Sequence, residues 1–240
     1  MKISIILPVY NEASALKELY SLIKTTVDKC KNTHEVLFID DGSTDGSLAV
    51  LRELKVNDSS IKIISFDRKY GQASALQAGF DSAEGDIIIT LDADMENDPE
   101  DIPLLLKKLE EGYDVVCGRR VGRPLTVKKF FSFFGNFIFR KIFKTPVKDM
   151  ACTFRAYRRK VLEDIVIRGS LHRYLPVLLH LKGAKIGEID VRWVERSHGE
   201  SKYGVMDRLF PTIKELLILV FKKKMVLMNR DREYRIQEVC

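Results

Sequence analysis

Five short runs of β-branched and large apolar residues punctuate the first half of this chain: Ile3–Pro8, Glu35–Asp40, Ile61–Phe66, Asp86–Asp92 and Asp114–Cys117. Each has strand length, and the gaps between them have room for a helix. In the first gap Leu16, Leu19, Tyr20, Ile23 and Val27 recur at helical spacing. In the fourth, Pro99 suits a first helical turn and Gly112 a helix stop. Near-continuous apolar strands alternating with helices predict an α/β fold, a doubly wound, mainly parallel sheet flanked by helices. Such sheets bind ligands outside the carboxyl ends of their strands. Three acidic loops fall there: Asp40-Asp41, Asp67-Arg68 and Asp92-Ala93-Asp94.

The last of these is the most chemically pointed. Side chains alternate along a strand, so Asp92 and Asp94 project to one side and repel each other unless a cation lies between them. Oxygen-only ligands with open positions suit Mg²⁺ or Mn²⁺, which take one or two carboxylates and complete their shell with substrate phosphate. An isolated Asp-x-Asp more often just ends a strand in solvent; three acidic loops on one sheet edge argue for a site.

Several functions are excluded. The first strand is followed by Pro8-Val9-Tyr10-Asn11-Glu12 rather than G-x-G-x-x-G, and no G-x-x-x-x-G-K-[ST] occurs, which argues against dinucleotide dehydrogenases and P-loop nucleotidases. Asp41-Gly42-Ser43-Thr44-Asp45-Gly46 resembles the start of a calcium loop, but the twelfth position is Arg52 where a bidentate Glu is required. A turn with Ser43 or Thr44 capping the next helix is the expectation instead. The four cysteines form no C-x-x-C pair, which argues against zinc and a disulfide framework, and the four histidines are scattered. No run is long and apolar enough for a signal sequence or a membrane span.

Charge divides the chain. Residues 1–118 carry 12 Lys and Arg against 22 Asp and Glu, a net −10, whereas residues 119–240 carry 28 against 12, a net +16. The acidic half suits a metal with a sugar or base, and the basic half suits phosphate or anionic lipid. The basic half has no recognition motif for nucleic acid, so no nucleic-acid partner is expected. Residues 126–144 read as an amphipathic helix with seven phenylalanines among Lys128, Lys129, Arg140, Lys141 and Lys144, suited to a membrane interface. A strand over Lys185–Val194, a loop over 197–204 and a second amphipathic helix over Met206–Lys224 follow.

Taken in order, Pro8-Val9-Tyr10-Asn11-Glu12, Asp40-Asp41-Gly42-Ser43-Thr44-Asp45-Gly46, Asp92-Ala93-Asp94 and Gly199-Glu200-Ser201-Lys202-Tyr203 resemble the motifs of glycosyltransferase family 2. The closest likeness is to its dolichyl-phosphate mannosyltransferase-like group of polyprenyl-phosphate glycosyltransferases. The resemblance covers roughly residues 3–210. It implies a GT-A fold and inverting transfer of a sugar, mannose or glucose favoured, from a GDP- or UDP-linked donor to a dolichyl or undecaprenyl phosphate.

Carried over by position, the resemblance assigns the donor to Pro8, Tyr10, Glu12, Asp40, Asp41, Asp92, Ala93, Asp94, Arg196 and Lys202. It assigns the metal, Mg²⁺ or Mn²⁺, to Asp92 and Asp94 with Glu96. The lipid phosphate falls to Arg119, Arg120, Lys129 and Ser132, and catalysis to Asp92, Asp94 and Arg119. Phe154-Arg155 resembles a segment that closes over the sugar. The implied organisation is a GT-A domain over 1–210, with a nucleotide-sugar half to about 118 and an acceptor half beyond it, then a C-terminal amphipathic helix and tail over 211–240. The implied setting is cytoplasmic, peripheral on the cytoplasmic face of an anionic membrane, with a small membrane-anchoring subunit as a further candidate partner. The alternatives are a family 2 transferase with a soluble saccharide or cell-envelope polysaccharide acceptor, and a non-catalytic scaffold with a vestigial transferase fold.

Overall fold

The computed structural model describes residues 1–122, 140–169, 171–195 and 234–240. Arg196, Lys202, Lys129 and Ser132, the second amphipathic helix and most of the first lie outside the described residues. The alternation read from the first half is present: β1 (Lys2–Val9), α1 (Leu16–Lys29), β2 (Thr33–Asp40), α2 (Ser47–Asn57), β3 (Ile61–Phe66), α3 (Gln72–Ser82), β4 (Ile87–Thr90), α4 (Ile102–Glu110) and β5 (Val115–Val121). Beyond these come β6 (Arg155–Arg158), α5 (Leu175–Leu181), β7 (Ile186–Arg192) and β8 (Ile236–Val239).

The strands form one sheet in the order β7-β5-β6-β4-β1-β2-β3-β8. Strands β3, β2, β1 and β4 run parallel, as do β5 and β7. The antiparallel β6 joins the two groups, and β8 runs antiparallel along the β3 edge. Both antiparallel strands depart from the sequence expectation. Arg155-Ala156-Tyr157-Arg158 carries a cation at each end and reads as surface, yet it fills the centre of the sheet. Strand β8 is held by backbone bonds between Cys240 and Ile63 at 2.7 and 3.0 Å, by Tyr234 stacked on Phe66 at 4.9 Å and by an Arg52–Glu238 ion pair. The sheet therefore reaches past residue 210.

Alternation along the strands sorts the core into two layers. Ile3, Ile5, Leu7, Ile87, Ile89, Val116 and Phe154 face α1 and α4. Ile6, Ile88, Val115, Cys117 and Tyr157 face α3 and α5. Phe154 is fully buried, and the Arg155 guanidinium, also buried, donates to the carbonyls of Met150 (2.7 Å), His172 (3.0 Å) and Arg173 (3.1 Å), so this pair braces the core rather than covering a sugar. Phe143, one of the seven phenylalanines, is buried in the second layer instead of facing an interface.

Helix α2 starts later than its sequence suggests. Neither Ser43 nor Thr44 caps it; Gly46 occupies the cap position, and Asp45 accepts from Ser47 N (2.9 Å) and Ser47 Oγ (2.6 Å). The turn before it depends on Gly42, at φ +66°, where an added Cβ would lie 2.5 Å from the Arg68 carbonyl carbon. Gly42→Ala is therefore expected to cost at least about 1–3 kcal/mol in urea unfolding, from the left-handed backbone alone. An unchanged midpoint would show that residue 42 does not hold a left-handed backbone.

Candidate functional site

The carboxyl ends of β1, β2 and β4 meet at one edge, and their loops are stitched together by the polar residues of the sequence motifs. Asn11, at φ +57°, donates its N–H to Ser43 Oγ (3.0 Å), and its side-chain oxygen accepts from Thr44 N (2.8 Å). Glu12 N donates to Ser47 Oγ (3.0 Å) and Ala13 N to Asp45 (3.1 Å). Much of both motifs is thus scaffolding that fixes Pro8, Tyr10 and Glu12 beside the acidic pair after β2. Lys69 Nζ sits 3.7 Å from the centre of the Tyr10 ring, a cation–π contact.

The two aspartates after β2 differ. Asp40 is buried and accepts from Ser43 N (3.1 Å) and Ser65 Oγ (2.9 Å), which is a bracing role. Asp41 accepts from Tyr70 N (2.6 Å) and Gly71 N (2.8 and 3.0 Å). Burial raises the Asp41 pKa, and these backbone donors offset part of the rise.

Strand β4 stops at Thr90, two residues short of its predicted end, although Leu91 N still donates to Ile6 O (3.1 Å). Asp92 and Asp94 therefore stand on the loop just beyond it, with Ala93 buried between them. Asp92 accepts from Gln72 Nε2 (2.7 Å), and Asp94 from Glu96 N (3.1 Å). Burial, then the Asp94 charge, pushes the Asp92 carboxyl up to about 7. This is the electrostatic deficit of a carboxylate pair that a hard dication would relieve. Among the described residues no cluster of three or more His, Cys, Asp or Glu is arranged to hold a metal. Two carboxylates fit Mg²⁺ or Mn²⁺, whose remaining ligands come from water and phosphate.

Glu96 is committed in part to a neighbour, accepting from Arg120 at 3.3 Å. Arg120 also forms a forked pair with Asp149, at 2.9 and 3.1 Å. Burial disfavours its charge, and Asp149 and Glu96 more than compensate, so it stays cationic. Arg119, next in sequence, points to the opposite face and pairs with Asp190 across the β5–β7 register. Its side chain is 37% exposed, against 9% for Arg120. The structure does not bring the two guanidinium groups into one cradle, because adjacent residues on a strand face opposite ways.

Gln72 and Asp149 were not among the expected site residues. Gln72 had a detectable signal, being the first residue of a helix that follows a strand at the ligand edge. Asp149 had none, since only the closure of the sheet brings it to Arg120. A separate cavity of about 600 Å³, lined by Tyr113, His180 and Lys185 among others, opens at the amino ends of β5 and β7, away from these carboxylates.

Residues 4–166 match glycosyl transferase family 2. The chain belongs to that family. Among curated relatives, the undecaprenyl-phosphate 4-deoxy-4-formamido-L-arabinose transferases of Aeromonas hydrophila subsp. hydrophila and Proteus mirabilis are each 38% identical, over 85% of this chain. The chain spans 63% and 64% of their respective lengths. Among solved structures, mannosyl-3-phosphoglycerate synthase from Rubrobacter xylanophilus superposes with a TM-score of 0.75 at 15% identity, covering 97% of this chain and 78% of that one. Glucosyl-3-phosphoglycerate synthase from Mycobacterium tuberculosis, in complex with Mn²⁺ and UDP-glucose, gives 0.68 at 18% identity, covering 98% and 85%. These likenesses establish the fold: a GT-A-type mixed, mostly parallel sheet flanked by helices. Among the described residues no helix is long and apolar enough to cross a membrane.

Proposed function

We propose that the protein transfers a sugar, with inversion, from a nucleotide-sugar donor to a polyprenyl phosphate. The observation that carries the reading is the Asp92–Asp94 pair at the end of β4, with Arg120 held beside it on Glu96. The relatives named as undecaprenyl-phosphate transferases support the acceptor class.

In this reading Tyr10 and Asp41 take the nucleoside, and Pro8 and Glu12 border it. Asp92 and Asp94 would hold Mg²⁺ or Mn²⁺, which when bound stabilises negative charge on the leaving diphosphate. The acceptor phosphate, with a second pKa of about 6, is anionic near neutral pH and needs no general base. Its oxygen bonds to the anomeric carbon as the bond from that carbon to the diphosphate breaks, and the nucleoside diphosphate departs with the electron pair. The main demand on the protein is therefore placement of cations against two anions. Arg120 is the described cation beside the carboxylate pair, with Lys129, Ser132, Arg196 and Lys202 as further members of the proposed phosphate sites; Arg119, on the other face of β5, is not among them. The basic, Phe-containing segment around Lys128–Lys144 would bring the protein to an anionic lipid surface.

The test is transfer of labelled sugar from a panel of UDP- and GDP-linked donors, including hexoses and a 4-deoxy-4-formamido-arabinose, to polyprenyl phosphate or the corresponding alcohol. A site built around the phosphate should prefer it by roughly 10⁴-fold. Equal turnover of the alcohol, or transfer only to a water-soluble saccharide, would move the protein to the soluble-acceptor reading.

A further inference from the structure

We infer that the loop between β3 and α3 couples nucleoside binding to cation binding, with Gln72 as the positioning residue that carries the coupling to Asp92. The inference rests on the proposed assignment of the nucleoside to Tyr10 and Asp41 and of the cation to Asp92 and Asp94.

Within five residues this loop touches the ends of three strands. The Arg68 backbone abuts Gly42, and the Lys69 ammonium lies over the Tyr10 ring at 3.7 Å. The N–H groups of Tyr70 and Gly71 donate to Asp41, and the Gln72 amide donates to Asp92 at 2.7 Å. Gly71, at φ +96°, makes the turn that aims successive N–H groups at one carboxylate and the next side chain at the other. Asp41 and Asp92 thus grip the same short peptide from two sides. Gln72 fixes one oxygen of Asp92 and so orients the carboxylate, beside which Thr153 also lies, the part an outer-sphere amide plays for a carboxylate ligand. A ligand that fixes Asp41 and a cation that fixes Asp92 both favour this loop arrangement, so each favours the state the other needs. The coupling is therefore positive, and reciprocal by linkage.

A nucleoside without phosphates isolates the effect, because it has no diphosphate to chelate the cation. Mn²⁺ titrations of the full chain, followed by the electron paramagnetic resonance of free Mn²⁺, are compared with and without saturating uridine, and repeated with guanosine. Mn²⁺ is expected to bind roughly fivefold tighter with the matching nucleoside, and that nucleoside to gain the same factor with saturating Mn²⁺. Gln72→Met keeps the length and helix propensity of the side chain but removes the donor. It is expected to weaken Mn²⁺ roughly tenfold and to erase the coupling. Its nucleoside affinity in chelator should stay within about twofold of the parent, which also reports a folded protein. If the parent binds both ligands with no mutual effect, or Gln72→Met retains the coupling, the inference is overturned while the site assignment stands. A parent that binds no Mn²⁺, or neither nucleoside, overturns both.

Discussion

Asp92→Asn is expected to lower transfer by about 10²–10³-fold and, in chelator, to raise the stability of the fold at pH 8. The two effects have one cause. The Asp92 carboxyl is pushed up to about 7 by burial and by Asp94, whereas an aspartate in the unfolded chain ionises near ~3.9. The folded state therefore holds this proton more tightly, so the stability it contributes is full below about pH 4 and is lost as pH rises towards 7. Ionised Asp92 then costs the cation-free fold on the order of a few kcal/mol, and asparagine removes that cost while its oxygen can still accept from Gln72. Urea unfolding at pH 4 and pH 8 makes the check: a gain at pH 8 that vanishes at pH 4. With excess Mn²⁺ the order should reverse, because the cation stabilises the folded parent by mass action. A variant no more stable than the parent at pH 8 in chelator would mean that Asp92 is not an electrostatic liability.

Arg120→Met is expected to cost about 3–5 kcal/mol, and Arg119→Met no more than about 1 kcal/mol, although the two residues are adjacent and of one type. Arg120 is largely buried and bonds through three nitrogens to Asp149 and Glu96, so its loss withdraws the cation those two carboxylates share. The Arg119–Asp190 pair lies in solvent, where water screens it and either side chain can find other partners. Arg120→Lys keeps the charge but not the planar fork, and should still lose most of the bidentate pairing. Unfolding midpoints of the three variants decide the point, and equal costs at positions 119 and 120 would refute the division between the two faces of β5.

Local pattern was enough to place the acidic pair just beyond the end of a buried strand. The run of Ile87 to Leu91 is too short and too apolar for anything but a buried strand, and placing Asp92 and Asp94 at its end followed from the period of two. The motif residues were legible as types but not as roles: Asn11, Ser43, Thr44 and Asp45 brace loops through hydrogen bonds 32 or 33 residues apart, which no local spacing encodes. Strand β6 was hidden because its arginines are satisfied by carbonyls elsewhere in the chain rather than by water. Strand β8 was hidden because a four-residue edge strand has almost no pattern of its own.

The sequence by itself determined the βαβ alternation, the identity of the strand ends and the acidic pair that stands on one of them, since each depends on residues within about one strand or helix of each other. Tertiary structure alone decided that Gln72 grips Asp92, that Asp41 grips the Tyr70–Gly71 turn, and that Arg120 rather than Arg119 joins Glu96 and Asp149. Those choices depend on which strands lie side by side and on which face each residue points, and both are fixed only when the whole sheet closes over its two core layers.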